Sequence, residues 1–135
     1  MKERQPFDWH IRVYIEDTDF GGVVFYANYL KFFERGRTEW LRSLGINQQS
    51  LVEEHGLVFI VRSAAVDYRA PARLDDELKL TVSIERLGKA SVQFLQEAWR
   101  GDTLLATGQI RVGCVSMDGL RPVAIPAEIL AKIGK

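Results

Sequence analysis

Three acidic residues lie within four positions near the start of the chain: Glu16, Asp17 and Asp19. Gly21 and Gly22 follow at once and allow a tight turn, and the apolar stretch 23–26 comes next. Carboxylates beside hydrocarbon are suited to act as general bases or nucleophiles. Asp and Gly are also ordinary turn residues, so the cluster by itself leaves catalysis and turn formation equally open.

Motifs of several other catalytic classes are absent from the sequence. It contains no GxSxG, HExxH, CxxC or GxxxxGK[ST] pattern. The segment DTDFGG begins like a calcium loop, but Asn28 stands at its twelfth position, where a bidentate Glu is needed. His10 and His55 have no ligand partner nearby in sequence, and Cys114 is interpreted as a small core residue of a strand. We therefore expect neither a metal nor a cofactor.

Two elements must position the acidic cluster. Apolar and polar residues alternate from Trp9 to Glu16, which predicts a strand with one buried face. From about Asn28 to Leu44 apolar residues, many of them aromatic, recur at helical spacing, with Asn28 as a candidate N-cap and Gly45 as the stop. This wide apolar stripe indicates a long helix enclosed by a sheet. Gly36 in its middle lowers helix stability and suggests a close approach to another element.

Shorter elements follow along the chain. A short helix is predicted from Gln48 to His55, between Asn47 as its cap and Gly56 as its stop. Four β-rich segments come next, separated by turn residues: 57–69, 78–85, 92–100 and 103–117. Short turns between successive strands indicate antiparallel hairpins. A last helix is predicted from Pro126 to about Ile133.

The order of elements predicts an α+β fold in a single domain, residues 1–135. A chain of 135 residues supports one core, and a five-stranded antiparallel sheet needs one face covered. The long helix, about 25 Å at 1.5 Å per residue, is the element that can cover it. The other face and the edges of the sheet stay exposed in a monomer, so we expect a homodimer or homotetramer.

Composition excludes two kinds of partner. Eighteen basic and eighteen acidic residues give a net charge of zero, so no basic field gathers nucleic acid or anionic membrane. No apolar stretch approaches the roughly 20 residues that span a bilayer, and the start MKERQPFDWH lacks the apolar centre of a signal peptide. We expect a cytoplasmic protein without a membrane span or a nucleic-acid partner.

Two segments carry a family resemblance that covers nearly the whole chain. EDTDFGGVVFYANYLKFFERGRTEWL, residues 16–41, is similar to the signature of the 4-hydroxybenzoyl-CoA thioesterase family. FIVRSAAVDYRAPARLDDEL, residues 59–78, adds to a similarity with the Tol-Pal-associated acyl-CoA thioesterase branch of that family. The resemblance implies a hot-dog fold, in which a sheet wraps around a long helix. It also implies hydrolysis of a small or medium acyl-CoA to a carboxylic acid and free CoA.

The resemblance also implies roles for single residues. Asp19 matches the catalytic carboxylate, which either attacks the thioester carbonyl or activates water. Asp17 is assigned to turn or helix-end hydrogen bonds. Tyr26 stands where the Tol-Pal branch commonly has His, and it either orients substrate or water through its hydroxyl or belongs to the helix stripe. Backbone N–H groups at the helix start or at the Gly21-Gly22 turn are candidate oxyanion donors.

Substrate binding leaves more alternatives open. Arg86, Lys89 and Ser91 surround a hairpin turn where the resemblance places contacts to the CoA nucleotide, although exposed charges there are often simply solvated. An acyl-carrier protein is the other acyl donor that the sequence leaves open. A noncatalytic acyl-thioester or protein-binding module of the same fold is the alternative function. A hot-dog dehydratase has less support, because such enzymes pair a His with the carboxylate.

Overall fold

The computed structural model describes residues 6–134, and its elements follow the expected order. The strands are β1 (Phe7–Arg12), β2 (Leu57–Tyr68), β3 (Glu77–Leu87), β4 (Ser91–Arg100) and β5 (Thr103–Ser116). The helices are α1 (Asn28–Ser43), α2 (Gln48–Ser50), which continues as a π-helical turn over Leu51–His55, and α3 (Ala127–Ile133). Residues 1–5, on which part of the signal-peptide expectation rests, and Lys135 lie outside the described residues.

The five strands form one antiparallel sheet in the order β1-β3-β4-β5-β2. β3, β4 and β5 are hairpin neighbours, as the short turns predicted, and β1 and β2 are the two edges. One residue bulges from the ladder between Val61 and Ser63 of β2, and another between Ile84 and Arg86 of β3. The predicted α+β fold with a five-stranded antiparallel sheet is confirmed.

Helix α1 covers one face of this sheet with its apolar stripe. Seven of its buried residues form this face of the helix, all of them apolar except Arg37: Tyr29, Phe32, Phe33, Gly36, Arg37, Trp40 and Leu41. Phe32 and Phe33 are fully buried, and each aromatic side chain removed from water contributes about 2–3 kcal/mol. Inward-facing residues of the sheet, among them Leu80, Val82 and Ile110, complete the core. Within residues 6–134, no helix combines the length and the apolar character that crossing a bilayer requires.

A polar contact lies inside this helix–sheet interface. Nη1 of Arg37 donates to Oε1 of Gln96 at 2.9 Å, and Nε2 of Gln96 donates to the carbonyl of Phe33 at 3.0 Å. Burial lowers the pKa of Arg37 from its ordinary value, while Glu34 acts in the opposite direction. The contact satisfies the amide of Gln96, which is fully buried, and fixes α1 along β4.

The predicted end of the first strand is wrong. β1 ends at Arg12, which pairs with Glu77, the first residue of β3, so the ladder has no partner beyond that point. The chain then enters a 3₁₀ turn over Ile15–Asp17, and Ile15 is 77% exposed although the alternation placed it on the buried face. Glu16 therefore lies in this turn and not at the end of a strand.

The caps of the next helix agree with the sequence. Oδ1 of Asn47 accepts from the backbone N–H groups of Gln49 and Ser50 at 2.8 and 3.2 Å, as an N-cap does. Gly56 ends the π-helical turn with a φ of +64°, a conformation that favours glycine. Cys114 is fully buried in β5, which confirms its assignment to the core.

The loop before β3, residues 69–76, is held to the sheet by an arginine. Nη1 of Arg100 donates to the carbonyl of Pro71 at 3.0 Å and to Oδ2 of Asp76 at 2.9 Å. The same Oδ2 accepts from the backbone N–H of Arg73 at 2.8 Å. Partial burial alone would raise the pKa of Asp76, but the Arg73 N–H and the Arg100 guanidinium together hold it below its ordinary value.

Asp76→Asn is expected to lower the free energy of unfolding by about 1–2 kcal/mol at neutral pH, because a charged acceptor is lost. The folded pKa of Asp76 lies below the unfolded one, so its contribution is present above the unfolded pKa and is lost as pH falls through the folded pKa. Urea denaturation at about pH 7 and about pH 3 measures both the loss of stability and its dependence on pH. Asp67→Asn is the control, because Asp67 is 73% exposed and lies 3.6 Å from Arg69. Equal losses for Asp76→Asn at the two pH values would contradict this account.

Two glycines test how closely α1 lies on the sheet. A methyl group on Gly108 would lie 2.8 Å from Cε2 of Phe33, whereas one on Gly36 would meet Gln96 and Val82 at 3.4 Å, an ordinary contact. Gly108→Ala should therefore lower the free energy of unfolding by about 1–3 kcal/mol. Gly36→Ala should raise it by up to about 1 kcal/mol through helix propensity. Chemical denaturation of both variants compares them directly, and a loss at Gly36 as large as that at Gly108 would overturn the prediction.

Candidate active site

The acidic cluster lies on a narrow hairpin between β1 and α1. After the 3₁₀ turn, Thr18 and Val24 form an antiparallel bridge. The backbone N–H of Asp19 donates to the carbonyl of Val23 at 2.9 Å, and the N–H of Gly22 donates to the carbonyl of Asp19 at 3.1 Å. Gly22 has a φ of +79°, so this turn requires glycine there. Residues 19–22 therefore form a tight turn with Asp19 at its first position.

Asp17 is buried and both of its carboxylate oxygens are occupied. Oδ2 accepts from the backbone N–H of Tyr14 at 2.9 Å, and Oδ1 accepts from Nδ2 of Asn28 at 2.9 Å. The residue is 4% exposed. A carboxylate with both oxygens bonded inside the protein is a structural acid, which confirms its assignment to hydrogen bonding. Asn28 is the first residue of α1 and not its cap, because its side chain binds Asp17.

Asp19 is exposed, and only one of its two carboxylate oxygens accepts hydrogen bonds from the described protein. Oδ1 accepts from the N–H of Gly21 at 2.8 Å and more weakly from that of Val23 at 3.4 Å. Within residues 6–134, Oδ2 accepts from no protein donor. The backbone thus orients the carboxylate while leaving one oxygen available to a substrate or a water molecule, which is what a nucleophile or a general base requires.

The segment that enters α1 offers backbone donors close to Asp19 in sequence. The N–H groups of residues 28–30 donate to the carbonyls of residues 25–27 at 2.8 to 3.4 Å. The N–H groups of Tyr26 and Ala27 donate to no acceptor among the described residues, and Ala27, at the cap position, makes no capping bond through its side chain. Free N–H groups at a helix start favour negative charge. The sequence predicted donors at the helix start or at the Gly21-Gly22 turn without naming single amides, and these two lie at the helix start.

Tyr26 lies before α1 and is 64% exposed, so it does not belong to the buried helix stripe. Its carbonyl accepts from the hydroxyl of Tyr68 at 2.8 Å, and its ring contacts Phe25 with centroids 4.8 Å apart. The Tyr26 hydroxyl has no protein partner in the described part of the chain. Tyr29 is 2% exposed and belongs to the core, where burial raises its pKa.

The loop 69–76 holds the Asp19 hairpin in place. The N–H of Val24 donates to the carbonyl of Ala72 at 2.8 Å, and the N–H of Leu74 donates to the carbonyl of Gly22 at 3.4 Å. Val23 and Arg73 form a further antiparallel bridge. The hairpin is thus attached to the same loop that Arg100 anchors on the sheet.

The predicted CoA contacts lie far from Asp19 within one chain. Arg86, Lys89 and Ser91 surround the β3–β4 turn; the two cations are exposed and Ser91 is half-buried. Asp19 lies beside the loop that leads into Glu77, at the opposite end of β3. The nine residue steps from Glu77 to Arg86 span about 30 Å at 3.3 Å per residue. One chain therefore does not bring these residues to the catalytic candidate.

A cavity of about 150 Å³ lies between the second half of α1 and the sheet. Its lining has twelve residues: Glu34, Arg37, Thr38, Trp40, Leu41, Gln48, Phe59, Val61, Val92, Phe94, Val112 and Ile133. Thr38 donates to Glu34 at 2.9 Å and gives the cavity a polar strip against apolar walls. Asp19 is not among the residues that line this cavity. Residues 6–134 contain no cluster of three or more His, Cys, Asp or Glu that could hold a metal ion.

Known proteins share both this sequence and this fold. Residues 13–133 match the thioesterase-like superfamily. The acyl-CoA thioesterase YbgC of Haemophilus influenzae is 44% identical over 125 residues, which are 93% of this chain and 92% of that protein. The acyl-CoA thioester hydrolase YbgC of Escherichia coli is 43% identical over 127 residues, 93% of this chain and 94% of its own length.

Solved structures agree with this assignment. A probable thioesterase from Bartonella henselae superposes with a TM-score of 0.86 at 37% identity, covering 90% of this chain and 100% of that one. A protein from Aquifex aeolicus, at 29% identity, superposes with a TM-score of 0.87 over 95% of this chain and 99% of its own. With its sheet wrapped around one long helix, the chain has the hot-dog fold and belongs to the thioesterase-like superfamily, as the resemblance predicted.

Proposed function

We propose that the chain hydrolyses the thioester of a small or medium acyl-CoA to a carboxylic acid and free CoA, with Asp19 as the catalytic carboxylate. The acyl-CoA thioesterase names of its relatives support the reaction class. The observation that supports Asp19 as the catalytic residue is that only one of its two carboxylate oxygens accepts hydrogen bonds from the described protein. Oδ1 is held by the Gly21 N–H at 2.8 Å, so the group is oriented before substrate arrives, and Oδ2 stays available for chemistry.

Asp19 serves in one of two ways. As a nucleophile, it adds to the thioester carbonyl, expels the CoA thiolate and leaves a mixed anhydride that water then hydrolyses. As a general base, it takes a proton from the water that adds to the same carbonyl. Both routes need an ionised carboxylate, and both place negative charge on the carbonyl oxygen. The N–H groups of Tyr26 and Ala27, which have no protein acceptor, are the proposed donors to that oxygen.

Tyr26 is the proposed orienting group. Its ring stands at the start of α1, seven residues from Asp19, and its hydroxyl is free to bind the substrate carbonyl or the attacking water. The bond from Tyr68 to the Tyr26 carbonyl holds its backbone, so both the ring and the neighbouring amide keep their positions. A tyrosine hydroxyl both donates and accepts hydrogen bonds, so it can contact either the substrate carbonyl or the water.

A second copy of the chain is the proposed partner in a homo-oligomer. β2 is a twelve-residue edge strand whose outer hydrogen-bonding side has no described partner, and its residues Ile60, Val61 and Tyr68 are 40 to 51% exposed. A long, apolar and unpaired edge invites another strand. Pairing of two β2 strands about a two-fold axis is antiparallel, so it joins two sheets into one and leaves no open β2 edge.

This pairing would also complete the site. Tyr68, at the end of β2, lies against Tyr26, whereas Phe59 and Val61 near its start line the cavity. Antiparallel pairing places the start of one β2 beside the end of the other, and therefore the cavity of one copy beside Asp19 of the second copy. A cavity of about 150 Å³ is large enough for a benzene ring, which favours small and medium acyl groups.

Asp19→Asn is expected to reduce CoA release by roughly 10²-fold or more while CoA binding persists, because the positioned carboxylate is removed. Thiol release from acetyl-, hexanoyl- and benzoyl-CoA, and from hexanoyl acyl-carrier protein, measures the activity and its preferred donor. Glu16→Gln is the matched control, since Glu16 is an exposed acid that makes no described side-chain bond, and it should retain activity. Near-normal hydrolysis by Asp19→Asn would sink the assignment. Binding without thiol release by the unmodified protein would favour the noncatalytic module.

Ala64→Asp is expected to dissociate the oligomer and reduce hydrolysis with it. Ala64 lies in the middle of β2 and is exposed in one chain. A carboxylate there stays solvated in a monomer and loses its solvation only where two β2 strands pair. Sedimentation velocity should give a dimer or larger assembly for the unmodified protein and a smaller species for the variant. Val52→Asp, at a 37% exposed position away from β2, should keep the original mass. A fully active unmodified protein that sediments as a monomer would refute the pairing.

A further inference from the structure

Among the described residues that line the cavity between the second half of α1 and the sheet, Arg37 is the single cation. It is 9% exposed and lies among apolar walls that include Trp40, Phe94 and Val112. Within residues 6–134 it makes no ion pair. Burial lowers the pKa of Arg37, because a cation away from water and without an anion is unfavourable. A buried guanidinium without a protein anion suits an anionic ligand.

One edge of the Arg37 guanidinium is free. Nη1 donates to Oε1 of Gln96 at 2.9 Å, whereas Nε and Nη2 donate to no acceptor among the described residues. Every fully buried side-chain nitrogen in that part of the chain has a partner, so Nε and Nη2 are open. The open space beside Arg37 is the cavity that it lines. The parallel N–H groups of this edge match the two oxygens of a carboxylate.

The other polar groups of the cavity bond to one another. Nε2 of Gln48 donates to Oγ1 of Thr38 at 3.3 Å, and Oγ1 of Thr38 donates to Oε2 of Glu34 at 2.9 Å. Glu34 raises the pKa of Arg37 but makes no ion pair with it. Glu34 is exposed and Arg37 is buried, so water screens the carboxylate more than the cation. The interior of the cavity therefore keeps an uncompensated positive charge.

We propose that Arg37 binds a carboxylate at the far end of the acyl group, so that the preferred substrate is the CoA thioester of a short dicarboxylic acid. A cavity of about 150 Å³ admits a group about as large as a benzene ring, which corresponds to a succinyl or glutaryl chain. The inference rests on the proposed hydrolysis and on the proposed pairing, which places this cavity beside Asp19 of the second copy. The thioester then lies at Asp19 and the terminal carboxylate at Arg37.

Two acyl groups of similar length test the role of the charge. The unmodified protein should prefer glutaryl-CoA to hexanoyl-CoA in kcat/KM by about tenfold or more, because a buried charged pair replaces an apolar contact. Arg37→Met combined with Gln96→Met removes both hydrogen-bonding partners, so neither is left without the other, and this selectivity should be lost. Urea denaturation establishes that the double variant is folded. Arg35→Gln is the matched control, since Arg35 is an exposed cation of the same helix that does not line the cavity, and it should keep the selectivity.

Glu34→Gln tests the same charge in the opposite direction and alters only an exposed residue. Without the negative charge of Glu34, the glutaryl carboxylate is no longer repelled, so the selectivity for glutaryl-CoA should rise about twofold to threefold. The Gln amide oxygen can still accept from Thr38, so the hydrogen bond between these side chains is kept. An unmodified protein that favours hexanoyl-CoA, or a selectivity that is equal in all these variants, would overturn the proposal.

Carboxylate binding is measured separately from hydrolysis. In an NMR titration, the unmodified protein should bind glutarate about fivefold or more tightly than glutaramide, its neutral counterpart, and the double variant should lose that difference. Glutarate binding that depends on Arg37, in a protein that releases no thiol from any acyl-CoA, would uphold this inference and refute the proposed function. Thiol release by a protein whose glutarate binding and selectivity ignore Arg37 would do the reverse.

Discussion

The buried carboxylate of Asp17 is the interaction on which the geometry of the site depends. It accepts from the backbone of Tyr14 on the β1 side and from the side chain of Asn28 at the first residue of α1. Its own carbonyl accepts from the N–H of Phe25 at 3.1 Å. A buried carboxylate without partners would be strongly unfavourable, whereas this one is fully bonded. The connection from sheet to helix is therefore closed at its base, and the turn that carries Asp19 projects from that base.

Two nearby carboxylates differ in their burial and in their hydrogen bonds. Asp17 and Asp19 are chemically identical and only two residues apart, but one has both oxygens bonded inside the protein and the other has one oxygen held by Gly21. The buried acid cannot approach a substrate without losing hydrogen bonds that hold the fold. The exposed acid keeps a fixed direction and a free oxygen. The hydrogen bonds of Asp17 thus fix the base of the turn, and one carboxylate oxygen of Asp19 can stay without a described protein donor.

The sequence predicted elements well where local periodicity decides them and less well where distant pairing does. The long helix was expected over 28–44 and runs over Asn28–Ser43, because its own apolar stripe determines which face is buried. The first strand was predicted too long, because alternation continues through Ile15 whereas its pairing partner begins only at Glu77. Asp17 could be separated from Asp19 by spacing and resemblance. The Arg62 bulge could not be foreseen, because a bulge is a relation between two strands.

Sheet register also keeps Asp19 away from the proposed CoA-binding residues within one chain. β3 separates the Asp19 hairpin from the cation-bearing turn by about 30 Å, and no rotation of side chains closes that distance. β2 crosses the sheet in the same way, with Tyr68 at the Asp19 end and Phe59 near the other. In the proposed antiparallel pair of β2 strands, opposite ends would lie side by side, so a single edge contact would remove the exposed edge and join the two halves of the proposed site. The unpaired β2 edge and the distance between Asp19 and the β3–β4 turn therefore both follow from the same strand order.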